Sequence, residues 1–118
     1  MSAQLHRDVE LALFRGGDYL NYADLVDQAR VGAVQFWGNE TAAVATEILT
    51  YPQRKVLHCF MAAGALGGIF ELQSDIERFA WRHDCSRMIA HGRSAWGRIG
   101  AARGWRPVSM QFAKEIGP

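Results

Sequence analysis

The sequence predicts one mixed α/β domain that spans residues 1–118. The spacing of apolar residues changes from helical to alternating and back to helical along the chain, which is typical of this fold class. The 118 residues are enough for one compact domain and too few for two. Hydrophobic residues make up 49% of the chain and charged residues 21%, so a core can form.

The net charge and the cysteines argue against several function classes. A formal net charge of +1 disfavours nucleic acid as the main partner, because nucleic-acid-binding domains are usually clearly basic. Cys59 and Cys85 follow no metal-ligand spacing and indicate no disulfide framework. The first residues lack the apolar stretch of a signal peptide, and no window approaches the roughly 18 apolar residues of a membrane span. We therefore expect a chain made in the cytoplasm, with no transmembrane segment.

Two short helices are predicted before any strand. Residues 8–14 show a helical apolar pattern, which the pair Gly16-Gly17 ends because paired glycines favour a turn. Residues 22–30 form the second predicted helix, with Asn21 as its N-cap.

The next three segments are predicted strands. Residues 33–37 combine apolar and aromatic residues, and residues 41–50 alternate with a high β-branched content. The pair Tyr51-Pro52 indicates a turn, because proline cannot donate to a strand ladder. Residues 55–61 are almost all apolar, which is typical of a strand covered on both faces.

The second half of the chain returns to a helical pattern. The apolar stripe over residues 69–83 predicts one long helix. A fourth strand over residues 87–91, a short helix over residues 95–102 capped by Ser94, and a last strand over residues 108–115 follow. This order predicts a three-stranded antiparallel meander, a crossover helix and a fourth strand parallel to the third.

Several of these segments resemble a known family. Residues 41–115 follow the order of elements in a GNAT acetyltransferase domain, and the likeness extends over roughly residues 20–116. More specifically, the chain resembles short phage-encoded acetyltransferase-like proteins. The motifs that carry the resemblance are Leu57–Gly64, Trp81-Arg82-His83-Asp84-Cys85, Gly92-Arg93 followed by Trp96, and Arg103-Gly104-Trp105. The resemblance implies a GNAT-like twisted mixed sheet with a long crossover helix and short N-terminal helices.

One loop departs from the family pattern. GNAT enzymes hold the diphosphate of acetyl-CoA with an R/Q-x-x-G-x-G/A loop, whose backbone N–H groups face the phosphates at a helix N-terminus. The matching loop here contains Gly64, Gly67 and Gly68, but no arginine, lysine or glutamine lies between Phe60 and Glu71. Such a loop lacks charge-assisted hydrogen bonds that are typically worth about 1.5–3 kcal/mol each. We predict a packing turn and assign no cofactor-binding residue; a residual CoA-type site is the alternative.

Residue types suited to acetyl transfer are present without a catalytic pattern. Glu47, His58 and Glu71 are candidate general bases, although an outward strand position suits Glu47 and a hydrogen-bonded core position suits His58. The short helix after the fourth strand has Trp96 where an acidic tyrosine would be sought. The run His83-Asp84-Cys85 diverges at a helix end, so we assign no metal ligand and no cysteine nucleophile. No catalytic residue is assigned.

The C-terminal third interleaves arginine with tryptophan, the residues most enriched at interface hot spots. Three interpretations stay open: core tryptophans beside solvated arginines, a protein-binding face, and phosphate and stacking contacts with nucleic acid. The candidate interface residues are Arg93, Trp96, Arg98, Arg103, Trp105 and Arg106.

The resemblance and the missing cation together predict a non-catalytic GNAT-like phage virion protein. We expect it to act through contacts with other virion proteins, singly or as a multimer, in the head, portal or tail or as an internal, ejected component. It would need no cofactor and would reside in the virion after synthesis in the host cytoplasm. The alternative is an acetyl-CoA-dependent N-acetyltransferase with a degenerate phosphate loop.

Overall fold

The computed structural model describes residues 1–91 and 94–118, and of residues 94–97 it describes the backbone alone. The described elements, in chain order, are α1 (Ala3–Arg15), α2 (Tyr22–Arg30), β1 (Gln35–Gly38), β2 (Ala42–Thr50), β3 (Lys55–Gly64), α3 (Leu66–Glu71), α4 (Gln73–Arg82), β4 (Arg87–Ala90) and α5 (Ser94–Ala101).

The four strands form one mixed sheet in the order β1-β2-β3-β4. The first three strands are antiparallel neighbours, and β4 pairs with β3 in parallel. The structure therefore confirms the predicted meander and the predicted parallel fourth strand. The predicted mixed α/β fold class is confirmed as well.

Both N-terminal helices have side-chain caps. The Asn21 side chain accepts from the Asp24 amide at 2.8 Å while Asp24 accepts from the Asn21 amide at 3.0 Å, so α2 begins where its cap was predicted. The helix α1 begins five residues earlier than predicted, because the Ser2 hydroxyl caps it by accepting from the Leu5 amide at 3.0 Å. The extra turn places Leu5 in the core.

The predicted long helix is two helices, α3 and α4, which meet at Leu72. The Leu72 amide donates to the Ile69 carbonyl at 3.2 Å, three residues back, as in a 3₁₀ turn. In a continuous α-helix it would donate to the Gly68 carbonyl, but that oxygen accepts from Asn39 Nδ2 at 2.9 Å. A side chain outside the helix thus binds the carbonyl at which the helical hydrogen bonding is interrupted.

The prediction of a last strand over residues 108–115 is wrong. Residues 105–118 carry no secondary structure, and no described strand pairs with them. Their alternating apolar pattern suits a strand, but a strand also needs a partner, and the described part of this chain supplies none.

Helices cover both faces of the sheet. On one face, α1 and α2 pack against inward residues of β2 and β3, in a cluster of Leu5, Val9, Leu13, Leu25, Val34, Ala43, Ala45, Met61 and Ala63. On the other face, α4 packs against a cluster of Val44, Leu57, Leu72, Ile76, Ala80 and Cys85. Each face thus has its own apolar layer.

A β-bulge in β3 decides which side chains reach which face. Ala45 pairs with Met61 and Thr46 with Cys59, which leaves Phe60 without a partner residue on β2. Because of this extra residue, Met61 faces the α1 layer while Cys59 packs on the α4 side. The bulge therefore changes the alternation along β3.

No helix in the described ranges is long and apolar enough to cross a bilayer.

The buried Thr46 hydroxyl links β1 to β2. It accepts from Trp37 Nε1 at 3.0 Å and donates to Gln35 Oε1 at 2.8 Å. Replacing Thr46 by valine keeps the shape but leaves both partners unsatisfied, so we expect a loss of roughly 1–3 kcal/mol in the free energy of unfolding. Urea denaturation measures this loss. Thr50→Val, the same change at the exposed end of β2, is the matched control; equal effects of the two substitutions would contradict the role of the hydroxyl.

Candidate functional site

The loop between β3 and α3 packs against the turn between β1 and β2. Gly64 has φ +94°, a conformation that glycine adopts readily, and a Cβ at this position would collide with the Thr41 carbonyl oxygen. The same carbonyl accepts from the Ala65 amide at 3.0 Å. The backbone of the turn therefore occupies the space that the missing side chain of Gly64 leaves.

Asn39 completes the contact between this turn and α3. Its Oδ1 accepts from the amides of Thr41 and Ala42, at 3.0 and 2.9 Å, and its Nδ2 donates to the Gly68 carbonyl at 2.9 Å. A Cβ at Gly68 would collide with Thr41 Oγ1. We call Asn39, Thr41, Gly64 and Gly68 the turn–loop contact.

These residues do not fit the diphosphate of coenzyme A. The predicted packing turn contains three glycines. At Gly64 and Gly68, other protein atoms occupy the space that a Cβ would need, whereas Gly67 faces open space. The loop sequence carries no cation from Met61 to Phe70. Arg103 approaches α3, but its guanidinium lies 4.3 Å from the centre of the Phe70 ring.

A chain of three polar side chains lies on the α1 face of the sheet. Glu47 pairs with His58 across β2 and β3, and Glu47 Oε2 lies 2.9 Å from His58 Nδ1. His58 Nε2 lies 3.3 Å from Nδ1 of His91, just after β4. The His58 side chain is 15% exposed and that of Glu47 35%, whereas His91 is exposed.

The tautomers of the two histidines can be chosen so that each of these contacts is a hydrogen bond. With Nδ1–H of His58 donated to the Glu47 carboxylate, His58 Nε2 accepts from Nδ1–H of His91. His91 Nε2 is then an acceptor at the exposed end. The three groups have the composition of a general-base relay.

The structure brings together two of the three predicted base candidates and separates the third. Glu47 and His58 are hydrogen-bonded, while Glu71 is exposed at the end of α3. His91 was not predicted. The sequence does contain a signal for it, because alternate residues of a strand share a face and residue 91 therefore lies on the face of Arg87 and Ile89. Only the register of β4 against β3 shows that this face is also that of His58.

Neither cysteine is a reactive thiol. Burial raises the pKa of the Cys59 thiol to about 12. Burial also raises the pKa of Cys85, with Asp84 adding to the rise and Lys55 opposing it. Both side chains are therefore protonated thiols near neutral pH, and a protonated thiol is a poor nucleophile.

No group of three or more potential metal ligands is found among residues 1–91 and 94–118. In the run His83-Asp84-Cys85, Cys85 is buried and its two neighbours are exposed, with Asp84 at φ +63°. The three side chains therefore lie in different environments, and the absence of a metal ligand among them stays a prediction.

The candidate interface residues differ in their exposure and in their contacts. Arg98 and Arg106 are exposed, and Arg103 is exposed with its guanidinium over Phe70. Trp105 is half-buried, and its Nε1 donates to Gln73 Oε1 at 3.0 Å. Arg93 and the side chain of Trp96 lie outside the described residues.

Trp105 thus makes a contact within its own chain, and its role at an interface stays a prediction, as do those of the other five.

No protein-family model matches the sequence, and no curated protein matches it. Solved structures do match. An acetyltransferase from Trypanosoma brucei has a TM-score of 0.65 at 15% identity, with 94% of each chain covered. A probable acetyltransferase has a TM-score of 0.70 at 12% identity, covering 98% of this chain and 91% of the other. An aminoglycoside acetyltransferase from an uncultured soil metagenomic sample has a TM-score of 0.68 at 12% identity, covering 97% and 89%.

These likenesses establish a GNAT-like fold for the chain. At such low identity they support the fold and say nothing about the activity of this chain.

Two neighbouring glycines test the turn–loop contact. Gly68→Ala forces a Cβ into Thr41 Oγ1 and within 3.0 Å of Ala42 Cβ, so we expect a loss of roughly 1–3 kcal/mol in the free energy of unfolding. Gly67→Ala meets open space in the same helix and should stabilise it by up to about 1 kcal/mol, because alanine is the better helix former. Chemical denaturation of the two variants shows whether their free energies of unfolding change in opposite directions. Similar values for both would show that the contact is not tight.

Proposed function

We propose that this chain is a non-catalytic GNAT-like protein that acts through contacts with other proteins. The observation that carries the proposal is the turn–loop contact: the loop that would hold a cofactor diphosphate in this fold is bound by the protein's own β1–β2 turn. Asn39 Nδ2 donates to the Gly68 carbonyl, and the Thr41 carbonyl accepts from the Ala65 amide.

The charge around the loop supports the same conclusion. A diphosphate brings at least two negative charges, and its binding in proteins relies on charge-assisted hydrogen bonds of about 1.5–3 kcal/mol each. The loop offers none from its own side chains, and Glu71 adds a negative charge at the end of α3. Backbone amides alone would have to compensate for this charge.

The proposal extends to the particle in which the protein works. From the resemblance carried by Gly92-Arg93 and Trp96, we place it in a phage virion, made in the host cytoplasm and bound to other virion proteins. Arg98, Arg103 and Arg106 are the exposed members of the candidate contact face among the described residues. Mass spectrometry of intact purified particles tests this placement: a constant copy number per particle is expected, and absence from the particles would refute it.

Coenzyme A binding is the direct test of the non-catalytic assignment. A ligand at a hundred times its dissociation constant stabilises a folded domain by about 2.7 kcal/mol, several degrees in melting temperature for a domain of this size. We expect no change in the melting temperature with acetyl-CoA or coenzyme A at millimolar concentration. Differential scanning fluorimetry measures it.

The control variant is Gly67→Asp. The position faces open space, so the substitution leaves the fold intact while adding a negative charge beside the α3 amides. A melting-temperature increase in the natural chain that disappears in Gly67→Asp would overturn the proposal.

A second candidate function is acetyl-CoA-dependent N-acetyl transfer. It is favoured by the hydrogen-bonded chain of Glu47, His58 and His91 and by the acetyltransferase names of the neighbouring structures. In that reaction His91 Nε2 would take the proton of the attacking amine. The test is thiol release from acetyl-CoA with a panel of amines. Turnover that falls at least tenfold in His58→Gln, with an unchanged melting temperature, would establish this function.

A further inference from the structure

Two histidine nitrogens approach each other on the α1 face of the sheet. His58 Nε2, on β3, lies 3.3 Å from Nδ1 of His91, just after β4. A tetrahedral zinc ion with Zn–N bonds of about 2.0–2.1 Å separates two of its ligand nitrogens by roughly 3.3–3.4 Å. The separation of these two nitrogens therefore matches the one that a shared metal ion requires.

The angle between the two rings also suits a shared ion. The ring planes are 86° apart and the ring centres are 4.9 Å apart. This distance exceeds the nitrogen–nitrogen distance by less than the width of an imidazole ring, so the rings meet at an angle and not head-on. A separation of 3.3 Å is long for a direct hydrogen bond, since N–H donors usually lie about 2.7–3.2 Å from their acceptors. The two nitrogens can therefore face a common point between the rings.

Glu47 holds the ring of His58 from the other side. Its Oε2 lies 2.9 Å from His58 Nδ1, so Nδ1 can carry the proton while Nε2 keeps its lone pair for another partner. Histidine ligands of metal ions usually donate their second ring N–H to a carboxylate or a carbonyl, which sets the tautomer and the orientation of the ring. His91 is exposed, so its Nε2 can carry the proton in solvent and leave Nδ1 free to bind an ion.

The sheet holds both histidines near each other before an ion binds. His58 is opposite Glu47 in the ladder with β2 and opposite Ile89 in the ladder with β4, and His91 lies two residues after Ile89. Among residues 1–91 and 94–118, no third His, Cys, Asp or Glu side chain completes the coordination. Water molecules would therefore fill the remaining positions, as water does at the open position of other zinc sites.

We propose that His58 and His91 bind one divalent transition-metal ion at the surface of the sheet. Imidazole nitrogens suit zinc, copper and nickel, whereas magnesium and calcium prefer oxygen ligands. Glu47 is a positioning residue, because it binds His58 and not the ion. The site shares no residue with the turn–loop contact, so it is independent of the proposed function.

Isothermal titration calorimetry of the full chain with zinc chloride tests the proposal. We expect saturable binding of one ion per chain and no binding of magnesium. His91→Gln removes one ligand at an exposed position, so it should weaken zinc binding with an unchanged melting temperature. The loss should be about tenfold or more, since even the residues that only orient a ligand typically contribute 10–100-fold to metal affinity.

The other two of the four histidines supply the matched control. His6 lies on α1 beside Glu10, and His83 follows α4 and packs against Phe79. The chain with His6→Gln and His83→Gln has lost as many imidazoles as the chain with His58→Gln and His91→Gln. It should bind zinc as the natural chain does, whereas the second chain should not bind zinc.

Two substitutions of Glu47 test its positioning role. Glu47→Ala removes the acceptor for His58 Nδ1–H and should lower the zinc affinity by roughly 10–100-fold. Glu47→Gln keeps an acceptor oxygen at the same position and should lose less. A lower melting temperature in Glu47→Ala with an unchanged zinc affinity would show that Glu47 stabilises the sheet without positioning a ligand.

A natural chain that binds no zinc would overturn the proposal. So would equal zinc affinities of the natural chain and His91→Gln, or a loss of binding in the chain with His6→Gln and His83→Gln. Weak binding that does not saturate and is alike in all variants would show that exposed histidines bind the ion non-specifically, which would overturn it as well.

Discussion

The fold depends on the turn–loop contact, through which the β1–β2 turn packs against the start of α3. Asn39 binds backbone groups of the turn with one side of its amide and the Gly68 carbonyl with the other. Two glycines allow Thr41 to approach closely enough for this contact. One aspect is structural: Asn39 binds the Gly68 carbonyl, the Leu72 amide donates to the Ile69 carbonyl, and the crossover helix divides there. The other concerns the proposed function, because the same contact fills the loop at which the family resemblance places a cofactor diphosphate.

The chain of Glu47, His58 and His91 follows from strand register. The bulge at Phe60 shifts the alternation of β3 by one residue, so that His58 and Met61 lie on the same face as the α1 layer. Glu47 is directly opposite His58. Parallel pairing with β4 then brings the residue after Ala90 within reach. The part-buried ring of His58 needs partners for its nitrogens, and Glu47 satisfies one of them. Hydrogen bonding in the sheet alone therefore explains this group, and catalysis is not needed to account for it.

Local signals in the sequence predicted the elements well, and non-local contacts account for the differences. The capping residue Asn21 and the period of β2 depend on neighbouring residues, so both were predictable. The break at Leu72 lies where Asn39, more than thirty residues earlier in the chain, binds the Gly68 carbonyl. The sequence does not reveal the bulge at Phe60, because apolar residues fall on both faces of residues 55–61. Residues 108–112 have the pattern of a strand, but a pattern does not supply a partner. For the candidate site, Glu47 and His58 were named from residue type, whereas their pairing and the contribution of His91 required the register.

The amides of the β3–α3 loop give the most direct test of the closed loop. Backbone ¹⁵N–¹H spectra can be followed during titration with coenzyme A, with attention to the amides of residues 64–69. We predict that these resonances stay at their starting positions up to millimolar ligand, because the turn occupies the space and the loop itself carries no cation. Saturable shifts confined to those amides would contradict the closed loop and would assign the chain to the cofactor-binding members of this fold.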